Sequence, residues 1–360
     1  MDNKNLVARR NLLAVLTASF LTFMPMHVPA ATEPDWGIGY EPSTCSPFIK
    51  NHDRIMTVMT LRAHVQEHMF AQLEKDLACL MDENYFLNSG EAGSSIVASF
   101  FNSVYEASDR NAIVRGLEAW REYNSDSEFY KFHLLHESYR QAWEYRGNKW
   151  VKDTPAENFE KFHTALTETQ NDLLDPYGPL SGTAVSANLL LAVSLDMRQP
   201  LHDPLEIYQS SATQWPAHYR FHTSTLFHLV PKWGGSWELV DIVIASISDY
   251  YQPQSGQAMY AKLYEDLHNS HQLDPRETLV TWDKLKPALI DWMNHEVNHN
   301  TKIITASYAC LYNDMALYEM YRPADLAHYY MLIPDRWVKG TNWEICESKL
   351  NDAQSTNVHD

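Results

Sequence analysis

Residues 127–147, SEFYKFHLLHESYRQAWEYRG, contain the clearest structural pattern of the chain. Their apolar and aromatic side chains recur every three or four residues, which is the spacing of one helix face: Phe129, Phe132, Leu135, Tyr139 and Trp143. Gly147 follows the last turn, and glycine often ends a helix because left-handed backbone angles cost it little. The stretch predicts a long helix with one buried face.

The same spacing recurs along most of the chain, whereas the alternating apolar runs typical of strands are few. Asp203-Pro204 and Ser236 are typical helix starts, and Asp175-Pro176 and Trp215-Pro216 are breaks 40 residues apart. We therefore predict an all-α fold, with helical hairpins stacked as a tetratricopeptide-like array or a compact α-α superhelix. A compact orthogonal bundle is the alternative. The predicted helices include residues 55–82, 278–299, 302–321 and 323–333.

The first 30 residues have the composition of a secretory signal peptide. Lys4, Arg9 and Arg10 precede an apolar run over 12–24, and Val28-Pro29-Ala30 supplies small residues for cleavage. This run is shorter than the roughly 20 residues that a membrane-spanning helix needs. We expect a periplasmic or secreted protein, exported by the general secretory or the twin-arginine route, with an uncleaved anchor as the alternative.

Cleavage after Ala30 would leave one predicted all-helical domain over 31–350 and a flexible polar tail over 351–360. The chain has 28 basic and 46 acidic side chains, a net charge of −18. Residues 1–30 hold three basic side chains and one acidic one, so the mature chain has 25 against 45, or −20. This charge disfavours nucleic acid and anionic lipid, and it favours a basic protein partner. Acidity that serves only solubility is the alternative.

Four cysteines remain after cleavage: Cys45, Cys79, Cys310 and Cys346. In an oxidising compartment they allow three pairings, and their order in the chain favours Cys45–Cys79 and Cys310–Cys346. Free buried thiols are the alternative. The sequence has no C-x-x-C pair, so it does not indicate a thiol redox motif.

Two strings, Ala142-Trp143-Glu144-Tyr145-Arg146-Gly147 and Pro231-Lys232-Trp233-Gly234-Gly235-Ser236, resemble segments of the family catalogued as domain of unknown function 4034. They occur in the family's order, and the resemblance covers roughly residues 95–335. It implies a bacterial, tetratricopeptide-like helical protein and supplies no activity.

The tryptophans of these strings are candidate binding residues. Trp143 shares a helix face with Tyr139, while Trp233 and Trp237 flank a glycine pair that lets the backbone turn tightly. A pocket lined by Trp233 and Trp237 is one interpretation. A structural corner of the fold is the other.

One motif would indicate catalysis. His295-Glu296-Val297-Asn298-His299 matches H-E-x-x-H within the helix predicted over 278–299. Both imidazoles would then share one face and ligate zinc, with Glu296 as the general base. Glu319 is the candidate third ligand, and Asp314 is a second candidate.

Against this, the surroundings of the motif are polar. The core-facing stripe of the predicted helix runs through Leu285, Leu289 and Met293, and the two histidines lie largely off it. A polar helix end is therefore the alternative. Other histidines at helical spacing are interpreted as solvated or hydrogen-bonded pairs rather than metal sites: His64 and His68, His133 and His136, and His218 and His222.

These observations favour an exported, non-catalytic protein-binding module without a cofactor. The chain has 20 Tyr and 11 Trp, and such large, rigid side chains dominate binding surfaces. One form of such a module is a periplasmic immunity protein that blocks a secreted antibacterial toxin. The alternative is a zinc-dependent metallohydrolase built on His295, Glu296 and His299.

Overall fold

The computed structural model describes residues 54–83, 85–87, 91–106, 109–147, 153–197, 201–233, 235–297, 299–322 and 337–356. Within these ranges the chain forms fifteen α-helices and no β-strand, so the prediction of an all-α fold is confirmed. None of the described helices is long and apolar enough to cross a membrane. The signal peptide predicted over 1–30 and the helix predicted over 323–333 lie outside the described residues.

The chain divides into two compact units, whose described parts are residues 54–225 and 226–356. We call them the N-terminal and the C-terminal unit. Both are helical, and the interpretation of 31–350 as a single domain stays a prediction.

The N-terminal unit consists of eight helices and most of a ninth, which are α1 (Arg54–Gln66), α2 (Phe70–Leu80), α3 (Gly93–Ser103), α4 (Arg110–Tyr123), α5 (Glu128–Arg146), α6 (Ala156–Leu174), α7 (Ala184–Asp196), α8 (Pro204–Gln214) and α9 (Arg220–Leu229). A 3-10 turn, Val104–Glu106, follows α3. The helices described beyond α9 are α10 (Trp237–Ser255), α11 (Ala258–His271), α12 (Trp282–His295), α13 (His299–Leu311), α14 (Met315–Tyr321) and α15 (Trp343–Thr356).

Several pairs of consecutive helices pack against each other in both units, as the predicted hairpins require. The most extensive contacts join α5 with α6, α11 with α12, α10 with α11, and α13 with α14. In the N-terminal unit, α3 also contacts α1, α2, α5 and α7. Its side chains Ile96, Val97 and Phe100 are fully buried, because neighbours surround this helix on several sides. The burial of α3 therefore gives this unit a common core.

Two glycines allow the backbone to approach more closely than any side chain would permit. A Cβ at Gly116 on α4 would lie 2.2 Å from the carbonyl oxygen of Val65 on α1. A Cβ at Gly235 would lie 1.7 Å from the carbonyl oxygen of Leu229. Only glycine fits at position 235, while Gly234 of the turn predicted between Trp233 and Ser236 lies outside the described residues.

Helix boundaries follow local capping chemistry. Asp203 accepts from Leu205 N at 2.9 Å and Ser236 accepts from Leu239 N at 3.2 Å, so both predicted N-caps are confirmed. Gly147 ends α5 with a φ of 68°, as predicted.

Two of the predicted helices are interrupted. Residues 55–82 form α1 and α2, because the chain turns at His68 with a left-handed φ of 58°. The helix predicted over 302–321 is also two helices, with Asn313 left-handed at a φ of 60° and Asp314 capping α14. Asn tolerates this conformation better than most residues, and an Asp at the N-cap starts a new helix. Both predictions of one continuous helix were wrong.

A disulfide holds the last helix against the C-terminal unit. Cys310 on α13 and Cys346 on α15 are bonded, with 5.6 Å between their Cα atoms, so this predicted pairing is confirmed. Both sulfurs lie in a small apolar core with Leu317 and Leu350. Cys79 is also disulfide-bonded. Cys45 lies outside the described residues, and its predicted pairing stays a prediction.

The predicted flexible tail begins within regular structure. Helix α15 continues through Thr356, so residues 351–356 are helical, while 357–360 lie outside the described residues. The tail prediction missed this helix because its outward face is polar, and only the few inward residues show the period.

Candidate functional site

The H-E-x-x-H motif does not lie on one helix. Helix α12 ends at His295, Glu296 has a non-helical backbone with a φ of −138° and a ψ of 73°, and α13 begins at His299. The prediction of a continuous helix over 278–299 was therefore wrong. Val297 is the only apolar residue between Asn294 and Thr301, and it is 66% exposed. Because nothing apolar packs there, no core contact extends the helix.

The side chain of Glu296 is held by its own unit. Its Oε2 accepts from Trp292 Nε1 at 3.0 Å and lies 3.0 Å from Nζ of Lys262 on α11. Thr301 donates to the Glu296 carbonyl at 2.7 Å. The residue that a metallopeptidase would use as a base thus ties the α12–α13 turn to α11.

The two candidate third ligands also have structural partners. Asp314 accepts from Leu317 N at 3.1 Å and from Lys286 Nζ at 2.7 Å, and Glu319 accepts from Gln354 Nε2 at 3.1 Å. In the part of the chain that the structure describes, no group of His, Cys, Asp and Glu is arranged to hold a metal ion. The side chain of His299 lies outside that part, and the zinc site stays a prediction.

Trp143 is a packing residue of the N-terminal unit. Its Nε1 donates to Asp196 Oδ2 at 3.0 Å, and the hydroxyl of Tyr139 donates to the same oxygen at 2.6 Å. The indole also meets the ring of Phe162 edge-on at 5.2 Å. These contacts join α5 to α6 and α7, so the half-buried Trp143 contributes to hairpin packing.

The other two candidate tryptophans lie in the C-terminal unit. Trp237 is the first residue of α10 and is half-buried. Trp233 ends a 3-10 turn over Pro231–Trp233, and its side chain lies outside the described residues. The pocket predicted between Trp233 and Trp237 stays a prediction.

Most of the paired histidines are hydrogen-bonded within the fold, as expected. His64 Nε2 lies 3.2 Å from Asp76 Oδ2, His222 Nδ1 lies 3.1 Å from the hydroxyl of Tyr208, and His218 Nδ1 lies 2.9 Å from Ser94 Oγ. His68 differs, since it is exposed and stacks on Phe70 at 5.6 Å. These histidines are parts of the core or its margin.

Helix α6 presents an acidic outer surface. Glu157, Glu160, Glu168 and Asp172 are all exposed and recur at helical spacing along one side. Lys161 is the one basic residue among them, and its Nζ lies 2.7 Å from Glu157. The opposite side is anchored by the buried Phe162, Leu166 and Leu173. We call these four acids the acidic face of α6.

An exposed aromatic residue follows this face. The turn after α6 is fixed by Asp175, whose carboxylate accepts from Tyr177 N at 2.9 Å and whose carbonyl accepts from Gly178 N at 2.9 Å. Tyr177 itself is 95% exposed. Sequence reasoning missed this site: the acid spacing was visible, but a tyrosine beside a proline could equally have been buried. Only the turn geometry places its ring in solvent.

No family model, no curated protein and no solved structure matches this chain. The resemblance to domain of unknown function 4034 therefore stays a prediction, and the function has to be argued from the side chains described above.

Proposed function

We propose that this protein is a non-catalytic module that binds a basic protein partner after export from the cytoplasm. The observation that carries the proposal is the acidic face of α6, which is followed five residues after Asp172 by the exposed Tyr177. The sequence predicts export from residues 1–30, and an acidic net charge of −18 accompanies it.

The acidic face supplies attraction over a distance. Four exposed carboxylates along about four turns of one helix create a local negative potential, which steers a basic surface toward it and raises the association rate. Because the charges are exposed, salt at 0.15 M screens them beyond about 8 Å. Binding should therefore weaken as ionic strength rises.

Tyr177 supplies a site for a short-range anchor. Tyrosine is enriched at binding hot spots because it buries a large rigid ring and keeps a polar hydroxyl. The hydrogen bonds of Asp175 already fix the turn that carries it, so less backbone entropy is lost when a partner binds. An Arg-rich partner would pair with the carboxylates and pack on this ring.

One form of this function is a periplasmic immunity protein that blocks a secreted antibacterial toxin. A basic toxin surface, such as one that binds nucleic acid or anionic lipid, has the charge that the acidic face of α6 complements. This form depends on the predicted signal peptide.

The test compares affinity captures from exported proteins at low salt. The full chain is the bait, beside the variant Glu160→Lys/Glu168→Lys/Asp172→Lys and the variant Tyr177→Ala. The matched control is Glu118→Lys/Glu122→Lys, which reverses two exposed acids on α4. We expect a basic protein that the original chain and the control retain and that both α6-region variants lose.

The captured partner is then purified and titrated against each variant. Truncation of a hot-spot side chain costs about 2 kcal/mol or more, so Tyr177→Ala should weaken binding at least 20-fold. A partner that binds all variants equally, or no enrichment over the charge-reversed bait, would overturn the proposal.

A further inference from the structure

The segment that joins α8 to α9, together with the first turn of α9, is hydrogen-bonded to the beginning of α3. We call these residues, 215–222, the clasp. The carbonyl of Ala217 accepts from Ala92 N at 3.0 Å, and Ser94 Oγ lies 2.9 Å from His218 Nδ1. Both contacts join residues that are more than 120 positions apart in the sequence, so they bind the clasp to α3 within the N-terminal unit.

Three buried histidines belong to the clasp or lie near it. His218 and His222 are part of it, and His136 on α5 is close enough for the charge of Arg220 in the clasp to lower its pKa. The ring of Phe101 on α3 stacks on His136 at 5.5 Å, and Tyr208 on α8 bonds His222. Two ring nitrogens, Nε2 of His136 and Nε2 of His218, are buried and have no hydrogen-bond partner in the described part of the chain.

The charges that act on these histidines are positive. Burial, together with the charges of His133 and Arg220, lowers the pKa of His136 to about 3. Burial, Arg220 and His222 hold the pKa of His218 well below its ordinary value. Burial also lowers the pKa of His222 to about 4, and a hydrogen bond with the backbone of Pro216 opposes this shift. All three imidazoles are therefore neutral at pH 7.

The remaining ionisable neighbours sit at the margins of this cluster. His133 on α5 faces Glu137 and Arg140 of its own helix. Arg54 of α1 lies over the ring of Tyr219 in the clasp at 5.4 Å, and its guanidinium is 3.9 Å from Glu91. The carboxylates of Glu137 and Glu91 thus lie near His133 and Arg54. Neither carboxylate is among the charges that shift the pKa of the three histidines at the clasp.

We propose that the clasp is an acid-operated latch: protonation of His136, His218 and His222 releases residues 215–222 from α3 while the rest of the N-terminal unit stays folded. Like charges gathered in one buried cluster repel each other and lose their hydration, whereas release returns them to water. The charges separate most directly by movement of the clasp, because it carries two of the three histidines and Arg220. An exported protein would thereby respond to acidification outside the cytoplasm.

The size of the effect follows from linkage. A released histidine titrates near pH 6.5, whereas latched His222 resists protonation until about pH 4 and latched His136 until about pH 3. Each of these two then multiplies the opening equilibrium constant about 20-fold between pH 7 and pH 5, and His218, whose pKa is also well below its ordinary value, acts in the same direction. Three together give a steep response, which one isolated histidine cannot produce.

Hydrogen exchange measured by mass spectrometry tests the latch on the full chain, with rates corrected for the intrinsic effect of pH. We expect peptides over 215–222, and the amide of Ala92 that donates to the clasp, to lose protection between pH 7 and pH 5, while the buried turns of α3 keep theirs. Peptides over α6 should keep theirs, because α6 packs on α5 and α7 outside the clasp. Simultaneous loss of protection in α6 and the clasp would overturn the proposal.

Neutral substitutions identify the proton sites. His136→Gln and His222→Gln should each reduce the acid-driven opening about 20-fold and move it to lower pH. His202→Gln is the matched control, since His202 is exposed in the same unit, and it should leave the transition in place. Should a glutamine variant fail to fold, the comparison of clasp and α6 in the original chain still decides. An unchanged opening in both folded variants would contradict the latch.

Discussion

Nζ of Lys262 lies 3.0 Å from Oε2 of Glu296, an ion pair that joins α11 to the residue following α12. Both side chains are mostly buried, and the same carboxylate oxygen accepts from Trp292. Removing one member of such a pair leaves the other without its counter-charge in a place that water reaches poorly. The Glu296 side chain is thus a structural element of the C-terminal unit.

We predict that Glu296→Ala lowers the free energy of unfolding by about 2 kcal/mol, because a hydrogen bond and a counter-charge are lost together. Glu296→Gln keeps an acceptor for Trp292 and should cost about half as much. Urea unfolding measures both. Stoichiometric zinc in the purified protein that disappears in His295→Ala, with no stability change in Glu296→Ala, would contradict this role.

We predict that Asp196 stabilises the packing of α5 on α7. Tyr139 and Trp143 both donate to its Oδ2, so Asp196→Ala leaves two donors of α5 without their acceptor. We expect Asp196→Ala to lower the free energy of unfolding by about 3 kcal/mol. Asp196→Asn retains an acceptor and should lower it by less than half of that. The measurement is the midpoint of thermal unfolding, compared with Asp172→Ala at an exposed acid of α6. Equal effects of Asp196→Ala and Asp172→Ala would refute this role.

Stability should fall as the pH drops below neutrality. Burial lowers the pKa of His268 to about 3, and its Nδ1 lies 2.7 Å from the hydroxyl of Tyr308. The unfolded chain takes up this proton near pH 6.5, whereas the folded chain does not until about pH 3. The unfolded state therefore binds more protons between these values, and the stability present above pH 6.5 is lost progressively below it.

The variant His268→Gln isolates this contribution. It should reduce the slope of unfolding free energy against pH, between pH 4.5 and pH 6, by about 1.4 kcal/mol per pH unit. Urea titrations at several pH values give the slope, and the exposed His295→Gln should leave it unchanged. An identical slope in His268→Gln would show that His268 accepts a proton while folded.

The disulfide between Cys310 and Cys346 should stabilise the C-terminal unit by limiting its unfolded state. It closes a loop with a sequence separation of 36 residues, for which chain entropy predicts about 4 kcal/mol. We expect the double variant Cys310→Ala/Cys346→Ala to unfold at lower denaturant and to be cut by protease within α15. Leu350→Ala, which weakens the same core but keeps the bond, should leave α15 resistant. Equal protection of α15 in both variants would argue against the covalent role.

Much of the helical fold could be predicted because helix periodicity and capping are local. The spacing of Phe129, Phe132 and Leu135 reports a buried face wherever the partner helix lies. Asp203 and Ser236 identified helix starts because a cap needs only the residues that follow it. The packing of α3 against four neighbours was beyond this reasoning, since its partners are distant in sequence.

The interruptions of the predicted helices could not be predicted from the sequence. At His68 the neighbouring residues are acceptable helix formers, and after His295 the helix ends because no apolar contact extends it, so neither break appears in the spacing of apolar residues. The candidate binding site on α6 could likewise be predicted only in part. The acids of α6 could be placed on one side from their spacing, but the exposure of Tyr177 depended on the hydrogen bonds of one turn.

The two close backbone approaches have a consequence for tracing ancestry. Gly116 and Gly235 each occupy a position where one added carbon would collide with a main-chain oxygen, and a main-chain atom cannot be exchanged by mutation. Large core side chains, in contrast, can be replaced by others of similar volume. Distant descendants of the same ancestor should therefore retain glycine at these two points after their aromatic positions have drifted. A search pattern that requires both glycines and the same number of helices between them should find distant relatives better than overall sequence identity does.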